Sequence, residues 1–168
     1  MRRLFRWIGI TMATLVSALG VVVLLAINGV LGAPGVSAAV IAASVSRDPA
    51  QMRAAFTLPA ARSHGRALHW QANGSFCGPA SLVNVFRSLG EHNPVVRYVI
   101  NFSRRPIFGG GSGHHSPVGG YLEAQDLVLV LDVNHDYSPW LIERERLFAA
   151  MDTFDGDKKR GLLRIARK

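Results

Sequence analysis

The sequence predicts an α+β domain behind a long apolar N-terminal helix. Three observations carry that reading: an uncharged stretch from Trp7 to Leu31, a helix-periodic stretch that opens near Phe76, and a series of short apolar runs from Val95 onward. The 168 residues allow one small domain plus an appendage.

The first stretch contains Asn28 as its one strongly polar side chain, and Arg2, Arg3 and Arg6 precede it. About 20 apolar residues span a bilayer as a helix, and a basic flank keeps the N-terminus in the cytoplasm. Residues 1–32 therefore predict a single-pass anchor in the inner membrane, with the lipid bilayer as partner and the rest facing the periplasm or exterior. A long cleavable signal is the alternative, with small residues at Val36, Ser37 and Ala38 or at Ala42 to Ser44 as processing sites. Residues 33–61, rich in Ala, Ser, Gly and Pro, predict a linker with one short helix around Pro49 to Phe56. The folded domain is expected over 62–168.

Within it, Phe76 to Gly90 predicts a helix with Leu82, Val85, Phe86 and Leu89 as its inward stripe, Pro79 in its first turn and Gly90 at its end. Val95 to Phe102 predicts a strand, and a glycine loop follows from Phe108 to Gly113. His115 to Leu122 and Leu127 to Val133 predict two strands joined by a polar turn around Glu123 to Asp126. Glu143 to Met151 predicts a helix with Leu147, Phe148 and Met151 inward, and Gly161 to Ala166 a last strand. A helix followed by a mainly antiparallel sheet is the α+β pattern.

The formal net charge of +8 does not make a nucleic-acid partner. The arginines flank the apolar segment, and Lys158, Lys159, Arg160, Arg164, Arg167 and Lys168 crowd the C-terminus, a distribution that reads as topology and solvation. The single cysteine, Cys77, excludes an intrachain disulfide and a cysteine-based zinc cage.

Cys77 lies at the predicted helix opening, inside Gln71-Ala72-Asn73-Gly74-Ser75-Phe76-Cys77-Gly78-Pro79. Unpaired N–H groups and the helix dipole there favour a thiolate. Gln71 can set an amide donor beside a carbonyl under attack, an oxyanion role. The competing reading is a buried cysteine packed as a small hydrophobe.

A thiol nucleophile needs an imidazole, and the imidazole needs an orienter. His64, His69, His92 and His135 sit in polar or loop contexts and are expected at the surface. His114 opens one strand of the predicted hairpin and Asp132 closes the other. A turn centred on Glu123 sets the two opposite each other, on one face. Asp132 ends the apolar run Leu127 to Leu131, where a carboxylate must find a partner. His115 is the rival base, and strand alternation sends it to the other face.

At this point the residues resemble a known family, the phytochelatin synthases. Gln71 to Gly90 is similar to their nucleophile helix, Tyr98 to Gly120 to their strand and histidine loop, and Leu127 to Arg164 to the rest of their catalytic domain. The resemblance implies a shortened papain-like cysteine transferase domain, its nucleophile helix packed on an antiparallel sheet. It maps a triad to Cys77, His114 and Asp132 and the oxyanion glutamine to Gln71. Asn101 and Arg160 match positions that hold the γ-glutamyl end of the substrate, and Gly113 belongs to the same site. It further implies attack on the cysteinyl–glycine bond of glutathione. The γ-glutamylcysteinyl group stays on the thiol, then passes to a second glutathione or to water.

No dedicated cofactor is expected. A heavy-metal ion such as Cd or Zn would enter through a metal–glutathione thiolate substrate. A homodimer is left open. The chain departs from the family in three places. His114 follows Cys77 after only 37 positions (114 minus 77), where relatives place a much longer stretch. His135 stands where an arginine often follows Leu-Asp-Val, and the cysteine-rich extension of plant members is missing. Two rival readings remain: a papain-like peptidase acting on another small peptide, and a shortened, inactive descendant.

Overall fold

The computed structural model describes residues 2–27, 35–65, 67–89 and 96–166. The predicted helix end at Gly90, strand start at Val95, His92, and the basic pair Arg167 and Lys168 lie outside these residues.

The chain begins with α1 (Arg2–Ile27), then α2 (Ala38–Ser44), α3 (Pro49–Ala55) and α4 (Pro59–His64). Among the described residues no helix is long and apolar enough to cross a membrane, and residues 28–32 of the expected anchor lie outside them. In α1 the described side chains lie between Thr11 and Leu24. Those among them that are large and apolar, such as Leu15, Val16 and Leu19, are exposed.

The stretch expected as a linker is built into the domain instead. The Ser37 hydroxyl accepts from the Val40 N–H and caps α2, and Asp48 Oδ1 accepts from the N–H groups of Ala50 and Gln51 to cap α3, with Pro49 at its first position. These caps let Ile41 and Ala55 bury fully. An isolated bridge between Ser46 and Leu141 ties the segment to the sheet.

The remainder runs α5 (Cys77–Ser88), β1 (Arg97–Ser103), α6 (Arg105–Phe108), β2 (Gly113–Leu122), β3 (Leu127–Val130), β4 (Trp140–Glu143), α7 (Arg144–Met151), β5 (Phe154–Asp155), β6 (Lys158–Lys159) and β7 (Gly161–Ile165). A five-stranded antiparallel sheet has the order β4-β3-β2-β1-β7, and β5 and β6 form a separate hairpin. The α+β class and antiparallel sheet expected from the sequence are therefore present. The sequence reading missed β4, whose Trp-Leu-Ile-Glu run is too short to show a period.

Two cores flank the sheet. On one face Ile100, Phe102, Val130, Trp140 and Ile142 pack with Ile41, Ile107, Phe108 and Leu147, which come from α2, α6 and α7. On the other, Leu122, Leu127, Leu129, Leu131 and Leu141 pack with Ala55 and Ala61 of α3 and α4. Between Val118 and Gly120 the β2–β3 pairing shifts register, a bulge at Gly119. A Cβ at Gly119 would come within 2.6 Å of Leu129 Cδ2, so glycine is what lets the strands close at the bulge.

Two inward faces differ from expectation. In α5 the buried residues are Cys77, Ala80, Ser81, Asn84, Val85 and Ser88, whereas Leu82 and Phe86 are exposed. The polar members pack inward because each is hydrogen-bonded: Ser81 Oγ donates to the His115 carbonyl, Asn84 exchanges bonds with both backbone groups of His69, and Ser88 Oγ accepts from Arg97 Nε. In α7, Leu147 and Ala150 are buried and Phe148 points to solvent. His64, expected at the surface, holds both ring nitrogens buried, with no side-chain hydrogen-bond partner among the described residues. Burial first, and then the Arg97 charge, lower its pKa to about 4.

This arrangement predicts opposite outcomes for two apolar truncations. Leu129→Ala, fully buried, should cost about 2–5 kcal/mol in denaturant unfolding. Phe86→Ser, 62% exposed, should change stability by no more than about 0.5 kcal/mol; a comparable loss from both would show that α5 packs on the stripe read from sequence.

Candidate active site

Asp132 sits just beyond β3, fully buried. Its carboxylate accepts from Arg104 Nη2 at 2.9 Å, the Asn134 N–H at 2.9 Å and Trp140 Nε1 at 3.1 Å. His114 Nε2 lies 2.9 Å from Asp132 Oδ1. The ring N–H is not aimed along a hydrogen-bond line there, so the contact is an ion pair by distance. Arg104 is itself buried, with its guanidinium carbon 3.4 Å from the Tyr137 ring centroid. The His114 ring meets Phe102 edge to face at 5.6 Å.

The contact between His114 and Asp132 arises by a different register from the one expected. The strands pair Leu122 with Leu127, so the turn centres on Ala124 and Gln125, and the bulge then shifts the register again. His114 and Asp132 are thus not directly opposed. They meet diagonally, past the last β3 pair, through their long side chains.

Cys77 opens α5 at the position after its N-cap residue, Phe76, which supplies no side-chain cap. The approach is shaped by an Asx turn in which Asn73 Oδ1 accepts from the Ser75 N–H. Cys77 Sγ is 3.7 Å from His115 Nδ1. Burial alone would raise the thiol's pKa, but hydrogen bonding to His114 and His115 and the His114 charge outweigh it and bring it down to about 5. For His114, burial works against the charged form, yet the Asp132 carboxylate prevails and raises the pKa. Asp132 is pushed up by burial and held far below the usual carboxylate range by His114 and Arg104. The arrangement is a thiolate beside an imidazolium that a buried carboxylate holds, which suits nucleophilic attack on a carbonyl.

A cleft of about 360 Å³ opens over the thiol, lined by Gly74, Ser75, Cys77, Gly113, His115, Asp155 and Arg160 among others. Its far wall is a polar cluster. Arg160 Nη1 donates to Asn101 Oδ1 at 2.8 Å and to Asp155 Oδ2 at 3.0 Å, and Asn101 Nδ2 donates to the same carboxylate oxygen at 3.2 Å. A Cβ at Gly113 would fall 2.2 Å from Arg160 Nη1, so glycine there is the space the guanidinium occupies.

The structure therefore brings Cys77, His114 and Asp132 together, and Asn101, Gly113 and Arg160 together beside them. Gln71 is anchored by its N–H to the Val133 carbonyl at 2.9 Å, but it is not among the cleft-lining residues and its side-chain oxygen has no partner among the described residues. Four participants escaped the sequence reading. Arg104 and Trp140 answer the requirement that a buried Asp132 find partners, and that requirement was the available signal. Asp155 had none. His115 was set aside by strand alternation, which does send it to the opposite face from His114, yet its Nδ1 lies 3.7 Å from the thiol sulfur. Among the described residues no group of three or more His, Cys, Asp or Glu gathers to hold a metal ion.

Fold and site together define an α+β protein with a thiol–imidazole–carboxylate centre beside a polar cleft. Residues 91–162 match the family model of phytochelatin synthase. Curated relatives agree. The chain is 42% identical over 60 residues to glutathione gamma-glutamylcysteinyltransferase 1 of Arabidopsis thaliana, covering 34% of this chain and 12% of that protein. It is 35% identical over 72 residues to glutathione gamma-glutamylcysteinyltransferase 2 of the same plant, covering 41% and 16%. Against glutathione gamma-glutamylcysteinyltransferase 3 of Lotus japonicus the identity is 38% over 58 residues, covering 34% and 12%. The aligned stretches thus span only 12–16% of these relatives' own length.

The electrostatics predict the thiol's reactivity. Alkylation of Cys77 by iodoacetamide should rise with pH to half its plateau near pH 5, because only the thiolate reacts. Asp132→Asn removes the charge that keeps His114 protonated, and should move that midpoint upward by more than about one unit. A midpoint near the ordinary thiol value of about 8.5 in the unaltered protein would refute the ion pair.

Proposed function

We propose that this chain is a cysteine acyltransferase or hydrolase of the phytochelatin synthase type, with a papain-like arrangement of Cys77, His114 and Asp132. The observation that carries this reading is the thiol of lowered pKa at a helix start, opening onto a cleft lined by Arg160 and Asp155, with Asn101 hydrogen-bonded to both.

In this reading the Cys77 thiolate attacks the cysteinyl carbonyl of glutathione. His114, held by Asp132, takes the proton the thiol has lost, passes it to the amide nitrogen as the C–N bond breaks, and regains one from the incoming nucleophile. The α5 N-terminus and Gln71, after its side chain turns, offer donors to the oxygen that becomes negative. Arg160 and Asn101 grip the γ-glutamyl carboxylate, and Asp155 its ammonium, a complementary set for the amino-acid end of the substrate. Glycine leaves, the γ-glutamylcysteinyl thioester remains on Cys77, and water or a second glutathione takes the acyl group. A heavy-metal ion would enter as part of the substrate, as the metal–glutathione thiolate.

The test is incubation with glutathione, reading released glycine and the intact mass of the protein. A γ-glutamylcysteinyl adduct on Cys77 and glycine in solution are expected, and Cys77→Ala should reduce both to background. Cleavage of other small peptides with glutathione untouched would refute the substrate assignment. Gly113→Ala should displace Arg160 and raise KM for glutathione about tenfold, equivalent to about 1.4 kcal/mol, with a smaller change in kcat; an unchanged KM would remove Arg160 from the substrate's grip.

A further inference from the structure

The helices cover the sheet in two layers of unlike charge. In β1, Arg97 bonds the end of α5 through Ser88, whereas Ile100 and Phe102 point to the opposite face and pack with α2, α6 and α7. α3 and α4 cover the second core, on the same side of the sheet as α5. This α3–α4–α5 layer is drawn from Pro49 to Leu89, a stretch that holds Arg53, Arg62, Arg66 and Arg87 and neither Asp nor Glu. The other layer carries Glu143 and Glu145 at the start of α7.

The outer side of the acid-free layer is apolar where α5 runs. Leu82, Val83 and Phe86 are exposed there, because α5 turns Ser81, Asn84 and Ser88 inward. Arg87 stands exposed beside them. Arg53 of α3 and Arg62 of α4, both exposed, line a cavity of about 280 Å³ together with Thr57. No acid lines that cavity, and among the described residues no ion pair takes up Arg53, Arg62 or Arg87. An apolar helix face flanked by arginines suits the head-group boundary of an anionic bilayer, where apolar side chains enter the acyl margin and arginines meet phosphates. A second copy of the chain suits it less, since a two-fold contact would set arginine against arginine. α1 adds exposed Leu15, Val16 and Leu19, a second apolar element in the same chain.

We propose that the α3–α4–α5 layer docks on an anionic lipid surface. Leu82, Val83 and Phe86 enter the head-group boundary, Arg87 meets phosphates beside them, and Arg53 and Arg62 hold a lipid phosphate at the cavity between α3 and α4. Cys77 opens the same helix, about 8 Å along its axis from Leu82, so docking sets the nucleophile close to the lipid surface. The proposal is independent of which substrate the thiol attacks.

The test uses the full chain with Cys77→Ala and one new thiol, Phe86→Cys or Phe148→Cys, labelled with the polarity-sensitive fluorophore NBD. Phe148 is 65% exposed against 62% for Phe86, but it stands on α7 in the other layer. With vesicles of equal parts phosphatidylglycerol and phosphatidylcholine, emission should rise about threefold and move to the blue at position 86, and change little at position 148. Pure phosphatidylcholine should give a much smaller rise. Arg53→Gln with Arg62→Gln should raise the lipid concentration at half the signal about 25-fold, from about fivefold for each arginine. No rise at position 86, an equal rise at 148, an equal rise with pure phosphatidylcholine, or no effect of the two arginine changes overturns the proposal. Blue-shifted emission at position 86 that grows with protein concentration in the absence of lipid means that a second copy covers the stripe, and overturns it too.

Discussion

The burial of one carboxylate, Asp132, organises this domain. An ion of that size taken out of water costs several kcal/mol even after relaxation, and the cost is met only where charge and hydrogen bonds surround it. Asp132 is surrounded from three directions: Arg104 just before α6, Trp140 at the start of β4, and His114 at the start of β2. Its oxygens thus hold together elements that approach from both ends of the sheet. The charges also balance. Arg104 neutralises Asp132, and a protonated His114 neutralises the Cys77 thiolate, so the buried quartet carries no net charge. Losing any one member leaves an uncompensated ion.

That balance has a pH window. Asp132 is depressed in the fold, so its contribution to stability is present above the unfolded carboxylate value of about 4 and is lost as pH falls toward the lower folded value. His114 is raised, so its contribution is full below about 6.5 and declines as pH rises through its folded value. The ion pair is at full strength between those limits. Because the same imidazolium holds the thiolate, its stabilising role and its electrostatic role at the nucleophile weaken together on the alkaline side.

The main elements were legible because their residues repeat with a period: α5, β1, β2, β3, α7 and β7 all stand where the sequence places them. What failed were inferences that treated hydrophobicity as the sole guide to burial. In α5, three polar side chains displaced Leu82 and Phe86 from the inner face, because the sheet and the preceding segment offered them partners that no local pattern reveals. The stretch 33–61 looked like a linker since Ala, Ser and Pro dominate it, yet a few buried side chains such as Ile41 and Ala55 suffice to dock short capped helices. Cys77, His114 and Asp132 were legible as a set from helix start and hairpin alone. The assumed register was wrong, and the contact survived because side chains of that length tolerate a diagonal offset. Arg104 and Asp155 were not legible individually, since long-range charge pairing has no sequence period.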